Sequence, residues 1–313
     1  MVKTLDSVQA QTYRDFHAVI CDNGSSDNTS EMIKPYLCDE RFTYYKEEYN
    51  TPEMFNNIFR NCKTDYLLIV HDDDVLLPSM LEKEIAVLET DKSVCLVSVN
   101  INYIDADDNI IKSGVYYNNL INKDILVKSR EYLNYYTSGN QLIACPTAMF
   151  RMSVIRDNDL FFKYKTVGDA CDLFLWFELN QLPFNFYFLI ETLYNYRLHS
   201  SQVSLYTIAL LPQLKLPVYD LLLNNNYSKR KIDSWLGYIN NYVIDILLNA
   251  EEPVNSMEII KDYIYIPERP EKLFGMKLNM ILKRKSKFIL MRKMKKMPKI
   301  ILKTIFKKLK WIK

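Results

Sequence analysis

The alternation of apolar and polar positions gives the first hundred residues a rhythm of short strands and longer helices. Residues 16–21 (FHAVIC) form a continuous apolar run, the pattern of a strand buried on both faces. Asn28-x-x-Glu31 then has the spacing of a capping box that opens a helix. Residues 42–46 predict a second strand. Met54, Ile58 and Cys62 recur at helical spacing, residues 66–70 (YLLIV) predict a third strand, and after Pro78 the residues Leu81, Ile85 and Leu88 share one helix face. Strands separated by helices imply right-handed crossovers and a mainly parallel sheet covered on both sides.

Further along, residues 94–104 and 110–117 flank the polar turn Asp105-Ala106-Asp107-Asp108-Asn109, which predicts an antiparallel hairpin. Another strand is expected near 147–151, a helix over 170–179, and a strand over the Phe- and Tyr-rich residues 184–197. From 205 to about 263 the pattern is helical with Asn-rich turns. The expected organisation is an α/β domain over residues 1–204, a helical region over 205–270 and a basic tail over 271–313.

Composition removes several chemistries. The six glycines lie too far apart for the phosphate-cradling spacings of a Rossmann dinucleotide site or a P-loop. The six cysteines form no C-x-x-C or Cys/His cluster, which argues against zinc and thioredoxin-like chemistry. No leader peptide and no run of 18 uncharged apolar residues is present, so the expected setting is the cytoplasm.

The net charge of +2 conceals a polarity. Of 40 Lys and Arg, 16 fall within residues 272–313, which hold no Asp or Glu; the remaining 24 stand against 38 acidic residues, so the body carries −14 and the tail +16. Ile301, Ile305, Leu309 and Ile312 repeat at helical spacing, with Lys299, Lys303, Lys307 and Lys310 on other faces and Phe306 and Trp311 as interfacial anchors. Such a helix is expected to lie on an anionic membrane, each basic residue adding roughly 1 kcal/mol. A solvated basic tail remains open as the simpler reading. Nucleic acid is set aside, because aromatic residues are sparse here and no reader module is visible.

Open α/β sheets bind ligands at the carboxyl ends of their strands, and two acidic segments fall there. After the first strand comes Asp22-Asn23-Gly24-Ser25-Ser26-Asp27, where Asp22 could accept from a base or ribose or simply organise a turn and helix cap. After YLLIV comes His71-Asp72-Asp73-Asp74. Three adjacent carboxylates repel unless a cation gathers them, and Mg²⁺ or Mn²⁺ completes such a set with phosphate oxygens. A solvated acidic loop is the alternative.

Together these segments resemble family 2 of the GT-A glycosyltransferases. The resemblance rests on residues 3–13 (KTLDSVQAQTY), CDNGSSDNT from Cys21, DYLLIVHDDDVLLP from Asp65, TAMFR from Thr147, CDLFLWFEL from Cys171 and YRLHSSQVS from Tyr196. It covers about residues 1–204 and implies a GT-A type mixed, mainly parallel sheet flanked by helices, followed by the helical region and the amphipathic tail. It also implies an enzyme that moves a sugar, with inversion, from a nucleotide-diphosphate donor (UDP-linked by expectation) to a saccharide or lipid-linked acceptor in cell-surface polysaccharide synthesis. By resemblance Asp22 meets the nucleotide base and Asp72 the ribose; Asp73 holds Mn²⁺ or Mg²⁺, with Asp74 as alternate ligand and His199 near the diphosphate. Asp172 matches the catalytic base, with Asp169 close enough to take that role and a helix N-cap as the plain alternative.

The chain departs from the family in three places. The family pattern begins about one strand earlier, so the first strand is expected to be missing, through a late start codon or a truncated gene. His71 stands where many members carry the first acid of the DxD motif, and Asn56 where an Arg often assists the phosphates. A chain of this kind could alternatively be an inactive remnant that binds membrane or a partner. The expected location is peripheral, on the inner face of the cell membrane.

Overall fold

The computed structural model describes residues 1–48, 53–116, 122–199 and 214–249, with side chains described up to 240 in the last stretch. The basic stretch 272–313 and its expected amphipathic helix lie outside the described residues, as do residues 205–213 and 250–270 of the helical region. The chain divides into two compact units, Met1–Asn226 and Tyr227–Lys313.

In the first unit, α1 (Val2–Gln9), β1 (Ala18–Asp22), α2 (Thr29–Ile33) and β2 (Phe42–Lys46) are followed by α3 (Glu53–Asn61), β3 (Tyr66–Leu68), β4 (Val75–Leu76) and α4 (Met80–Thr90). The expected hairpin is formed by β5 (Val94–Ile104) and β6 (Ile110–Lys112). Then come β7 (Ile125–Val127), α5 (Tyr132–Thr137), β8 (Met149–Arg151), α6 (Met152–Asp157), α7 (Tyr164–Val167), α8 (Cys171–Leu179), β9 (Asn185–Arg197) and α9 (Lys215–Asn224). The second unit's described part is α10 (Lys229–Asn249). No helix among the described residues is long and apolar enough to cross a membrane.

The architecture is mixed α/β with helices against open sheets. A two-stranded parallel sheet joins β1 to β2; a second sheet runs β3-β8-β5-β9-β4, with β6 added to β5 and β7 to β9. In the second sheet β5 and β9 pair in parallel, whereas β3–β8, β5–β8, β4–β9, β5–β6 and β7–β9 are antiparallel. The two long ladders, β1–β2 and β5–β9, are parallel, as expected, and the antiparallel ladders are short: β8 lies between β3 and β5 and runs against both, and β6 returns on β5 as a hairpin.

One correction concerns residues 16–21. The strand is Ala18–Asp22, and Val19 is 53% exposed, with Tyr45 on the neighbouring strand at 50%. Ala18 and Ile20 pack with Leu5, Ile33, Tyr36 and Phe42. Because β1 pairs only with β2 among the described residues, the opposite face, where Val19 points, is left in water. The helix that follows is also capped differently from the expected box. Asn28 makes no side-chain cap, and Asp27 Oδ1 instead accepts the Thr29 N–H at 3.0 Å.

The core of the larger sheet is β5, whose residues are buried almost end to end. Leu81 and Leu88 of α4 seal one side of it against Val94, Val97 and Met149. Gln11, wholly buried, fastens α1 to the start of α4: its Nε2 donates to the Leu77 carbonyl at 2.9 Å and its Oε1 accepts the Leu81 N–H at 3.1 Å. One residue of α4 breaks the pattern. Glu84 has no exposed surface, and neither carboxyl oxygen has a hydrogen-bond partner. Burial raises its pKa well above the ordinary value, so the folded chain holds it protonated.

Since the folded state binds this proton more tightly than the unfolded one, the stability Glu84 permits is present below pH ~4.5 and is lost as pH rises, by about 1.4 kcal/mol per unit at most. Glu84→Gln should flatten that slope. Thermal unfolding of both forms between pH 4 and 8 checks this, and parallel curves would contradict it.

Candidate active site

The antiparallel register of β4 and β9 sets Val75 opposite Asn195 and Leu76 opposite Tyr194. The residues just before Val75 therefore meet the carboxyl end of β9, and each of the three aspartates finds a different environment there. Asp72 is exposed, while its carbonyl accepts the Thr4 hydroxyl of α1 at 2.8 Å. Asp73 is half-buried, with Oδ2 2.7 Å from His199 Nε2. Asp74 is buried; its Oδ2 accepts the Tyr194 hydroxyl at 2.9 Å and its Oδ1 the Arg197 N–H at 2.7 Å. Burial pushes the Asp74 carboxyl up to about 7 against the pull of those donors, and the neighbouring charge of Asp73 adds to the rise.

Arg197 ties this corner to the hairpin. Its Nε donates to the Asp73 carbonyl at 2.7 Å, its Nη1 to the Asp105 carbonyl at 2.7 Å, and its Nη2 pairs with Asp108 Oδ1 at 2.6 Å. Lys3 pairs with the same Asp108. A hollow of about 260 Å³ opens here, walled by Lys3, Thr4, Asp73, Ala106 and Arg197 among others. Neither Asp22 nor Asp172 is among its walls.

His71, Asp73 and Asp74 each place one ligand atom within 4.8 Å of the others. Ligands around a cation held at about 2.1 Å lie about 3 Å apart when adjacent and about 4.2 Å when opposite, so this donor set fits one divalent ion such as Mn²⁺ or Mg²⁺. Burial also holds the His71 imidazole below its ordinary pKa, against the charges of Asp73 and Asp72.

Asp22 is not open to solvent. Its side chain is fully enclosed, with Oδ1 accepting the Ser25 N–H at 2.7 Å and Oδ2 accepting the Tyr44 hydroxyl at 2.6 Å. Lys46 Nζ lies 3.5 Å away. Burial would raise this carboxyl, but the Tyr44 and Ser25 donors and the Lys46 charge overcome it and hold the pKa at about 2. The Asp22-to-Ser25 bond is the turn that Gly24, with φ of 83°, allows.

Asp172 sits in the first turn of α8 within another cluster. Its Oδ1 accepts the Leu173 N–H at 2.6 Å. Burial pushes the carboxyl up to about 6, with that N–H and the Cys145 thiol pulling the other way. Its charge is felt by Cys145, Cys171 and Tyr116. Asp169 is exposed in the turn ahead of the helix. Asn56 is buried and clasps the backbone of Phe162 by two bonds, at 2.9 and 3.0 Å, so its amide is fully engaged in structure.

Residues 1–158, just over half of the chain, match the profile of the family described as Glycosyl transferase family 2. The chain belongs to glycosyltransferase family 2. Among relatives of this family 2 chain, an uncharacterized glycosyltransferase of Methanocaldococcus jannaschii is 30% identical over 114 residues, covering 35% of this chain and 39% of the relative. The O-antigen biosynthesis glycosyltransferase WbnJ of Escherichia coli is 30% identical over 204 residues, covering 63% and 74%. The chain spans well under half the length of the first of these and 27% of a Rickettsia felis glycosyltransferase.

Among solved structures, S. aureus TarS 1–349 in complex with UDP superposes with a TM-score of 0.60 at 15% identity, covering 83% of this chain and 75% of that one. Mannosyltransferase PcManGT from Pyrobaculum calidifontis, in complex with GDP-Man and Mn²⁺, gives 0.51 at 12% identity, covering 89% and 79%. At such identities the likeness shows the fold, which is of GT-A type.

For this family 2 chain the site holds more than the motifs singled out. His71, set down above as a departure from DxD, stands with Asp73 and Asp74. Tyr44, Tyr194 and Arg197 govern the carboxylates without belonging to any acidic motif. Only Arg197 carried a sequence signal, through its place two residues before His199.

Because Asp22 is held far below its unfolded pKa, the stability it supplies is present above pH ~4 and lost as pH falls toward 2, to the extent of about 2 kcal/mol. Tyr44→Phe removes one donor and should reduce that loss. Acid unfolding followed by circular dichroism checks it; identical acid midpoints for wild type and variant would contradict it.

Proposed function

We propose that this family 2 chain is an inverting, metal-dependent glycosyltransferase. It moves a sugar from a nucleotide-diphosphate donor, UDP-linked, to a saccharide or lipid-linked saccharide acceptor in cell-surface polysaccharide synthesis. The observation that carries the reading is the convergence of His71, Asp73 and Asp74, with His199 against Asp73, at the end of a sheet. The solved relatives whose titles name UDP, UDP-GlcNAc, or GDP-Man with Mn²⁺ support a nucleotide-sugar donor. WbnJ, named for O-antigen biosynthesis, supports the polysaccharide setting.

In this reading Asp73, with Asp74 and His199, holds the cation, which when bound offsets the charge of the departing diphosphate. Asp72, the exposed member, meets the ribose. Asp22 acts on the nucleotide side by holding the 22–26 turn in shape. Asp172 takes the proton of the acceptor hydroxyl during in-line attack, and a pKa of about 6 leaves it ionised yet basic at neutral pH. Residues 272–313 would hold the enzyme to anionic lipid on the inner membrane face, where a lipid-linked acceptor resides.

A second reading, a non-catalytic remnant that binds membrane or a partner, is favoured by the enclosed Asp22 side chain and the bare face of β1. Calorimetric titration of UDP with and without Mn²⁺ separates the two. Metal-dependent binding is expected, and no binding under either condition would leave the remnant.

Turnover should fall about tenfold per unit below pH ~6, as Asp172 takes up its proton. Asp172→Asn should lower turnover at pH 7.5 by about 10²–10⁴ while UDP affinity stays within about twofold. Steady-state rates and calorimetry on both forms check this, and comparable turnover by the variant would remove Asp172 from the role. Deleting residues 272–313 should abolish flotation with liposomes of anionic lipid; equal flotation of both forms would refute the membrane role of the tail.

A further inference from the structure

We infer that His71 is a metal ligand whose imidazole makes this site select a nitrogen-accepting first-row ion, Mn²⁺, over Mg²⁺. The inference rests on the reading of the Asp73–Asp74 corner as a cation site, and adds the donor that decides which cation enters it.

The geometry gives His71 the position of a ligand. It immediately precedes the triplet, its Nδ1 lies 3.9 Å from Asp74 Oδ2, and its ligand atom belongs to the same 4.8 Å group as those of Asp73 and Asp74. His199 Nε2 approaches Asp73 Oδ2 to 2.7 Å from the other side. Two carboxylates and the His71 imidazole therefore converge, with His199 against Asp73, where an acidic triplet alone would have supplied oxygen only.

That difference matters to the metal. Mg²⁺ demands near-ideal octahedral oxygen coordination and sheds its waters reluctantly, so a nitrogen in the set costs it affinity. Transition ions of the first row accept imidazole, and their affinity for mixed nitrogen and oxygen sites exceeds that of Mg²⁺. The carboxylates are also firmly held from behind. Tyr194 and the Arg197 N–H fix the two oxygens of Asp74, and Arg197 Nε fixes the carbonyl of Asp73. Ligands anchored in this way keep their spacing when an ion binds, so the identity of the donor that joins the two carboxylates, not adjustment of the carboxylates, sets the preference.

The test uses the full chain stripped of metal by a chelator, with Mn²⁺ and Mg²⁺ as probes and no turnover assay. Calorimetric competition should show wild type preferring Mn²⁺ by about tenfold or more, and pulsed electron paramagnetic resonance of bound Mn²⁺ should show ¹⁴N coupling from imidazole. His71→Ala in a His199→Ala background should lose the remaining nitrogen coupling. His71→Ala alone should weaken Mn²⁺ by about 10- to 100-fold and change Mg²⁺ far less. His71→Asp, which restores oxygen at that position, should shrink the preference to within about threefold.

Circular dichroism confirms that each variant is folded, and His71→Asp guards against loss of structure in the alanine form. If folded His71→Ala binds Mn²⁺ as wild type does, or wild type shows no nitrogen coupling or no preference, the role of His71 is overturned and the cation site stands. Failure of wild type to bind either ion overturns the cation site itself, and this inference with it.

Discussion

Consecutive carboxylates at the end of a strand repel one another, and the fold must give each a distinct place before anything else at that corner can be arranged. It does so by separation of environment. Asp72 stays in solvent, Asp73 is met by an imidazole, and Asp74 is taken into the interior beneath Tyr194 and a backbone N–H. The cost of burying Asp74 shows in its elevated pKa, and the two donors are what keep that cost from being larger. The rest of the corner follows from this solution. Arg197 holds Asp74 by its backbone while its guanidinium reaches across the Asp73 carbonyl to the hairpin, so the acidic segment and the 105–108 loop are tied together.

The strand that makes this possible is β9. Its thirteen residues pair in parallel with β5, the buried centre of the sheet, and in antiparallel with the two residues of β4. A strand so anchored leaves its last residues fixed in position, and those are the ones that meet the triplet. The hydrogen bonds of β4 thus act chiefly as a register lock: a slip of one residue would turn Tyr194 away from Asp74 and remove the donor that makes its burial tolerable.

Much of the fold was legible because it is written in apolar spacing. β5, α8 and β9 fall within a residue or two of their expected bounds, whereas β6 ends at Lys112, five residues short of the expected strand. The direction of pairing was not legible, because the Thr147-to-Arg151 segment reads as a strand without saying that it returns between β3 and β5. Nor was the exposure of Val19, for an apolar run says that burial is favourable, not that a covering element is at hand. At the site, the acidic residues announced themselves by charge and crowding. Tyr44, Tyr194 and Arg197 did not, because a hydroxyl or guanidinium recruited across 22, 120 or 124 residues of sequence leaves no local pattern.

Asp22 and Asp172 show how environment sorts carboxylates for different work. Both stand at element ends, Asp22 with its side chain enclosed and Asp172 part-buried, yet one is held at about 2 and the other at about 6. The difference lies in donors. Asp22 receives an N–H, a phenol and the field of a lysine, so its anion is satisfied and chemically inert; no acceptor proton could be drawn to it at neutral pH. Asp172 receives the N–H of Leu173, its own N–H and a thiol, a weak donor, with no phenol or lysine beside it, so burial prevails and the anion retains basicity. This contrast is why the proposed reading gives proton transfer to Asp172 and structural anchoring to Asp22. For the nucleotide to be read through the first strand's loop, the groups left to offer are those on the outer side of the turn that Asp22 holds in shape.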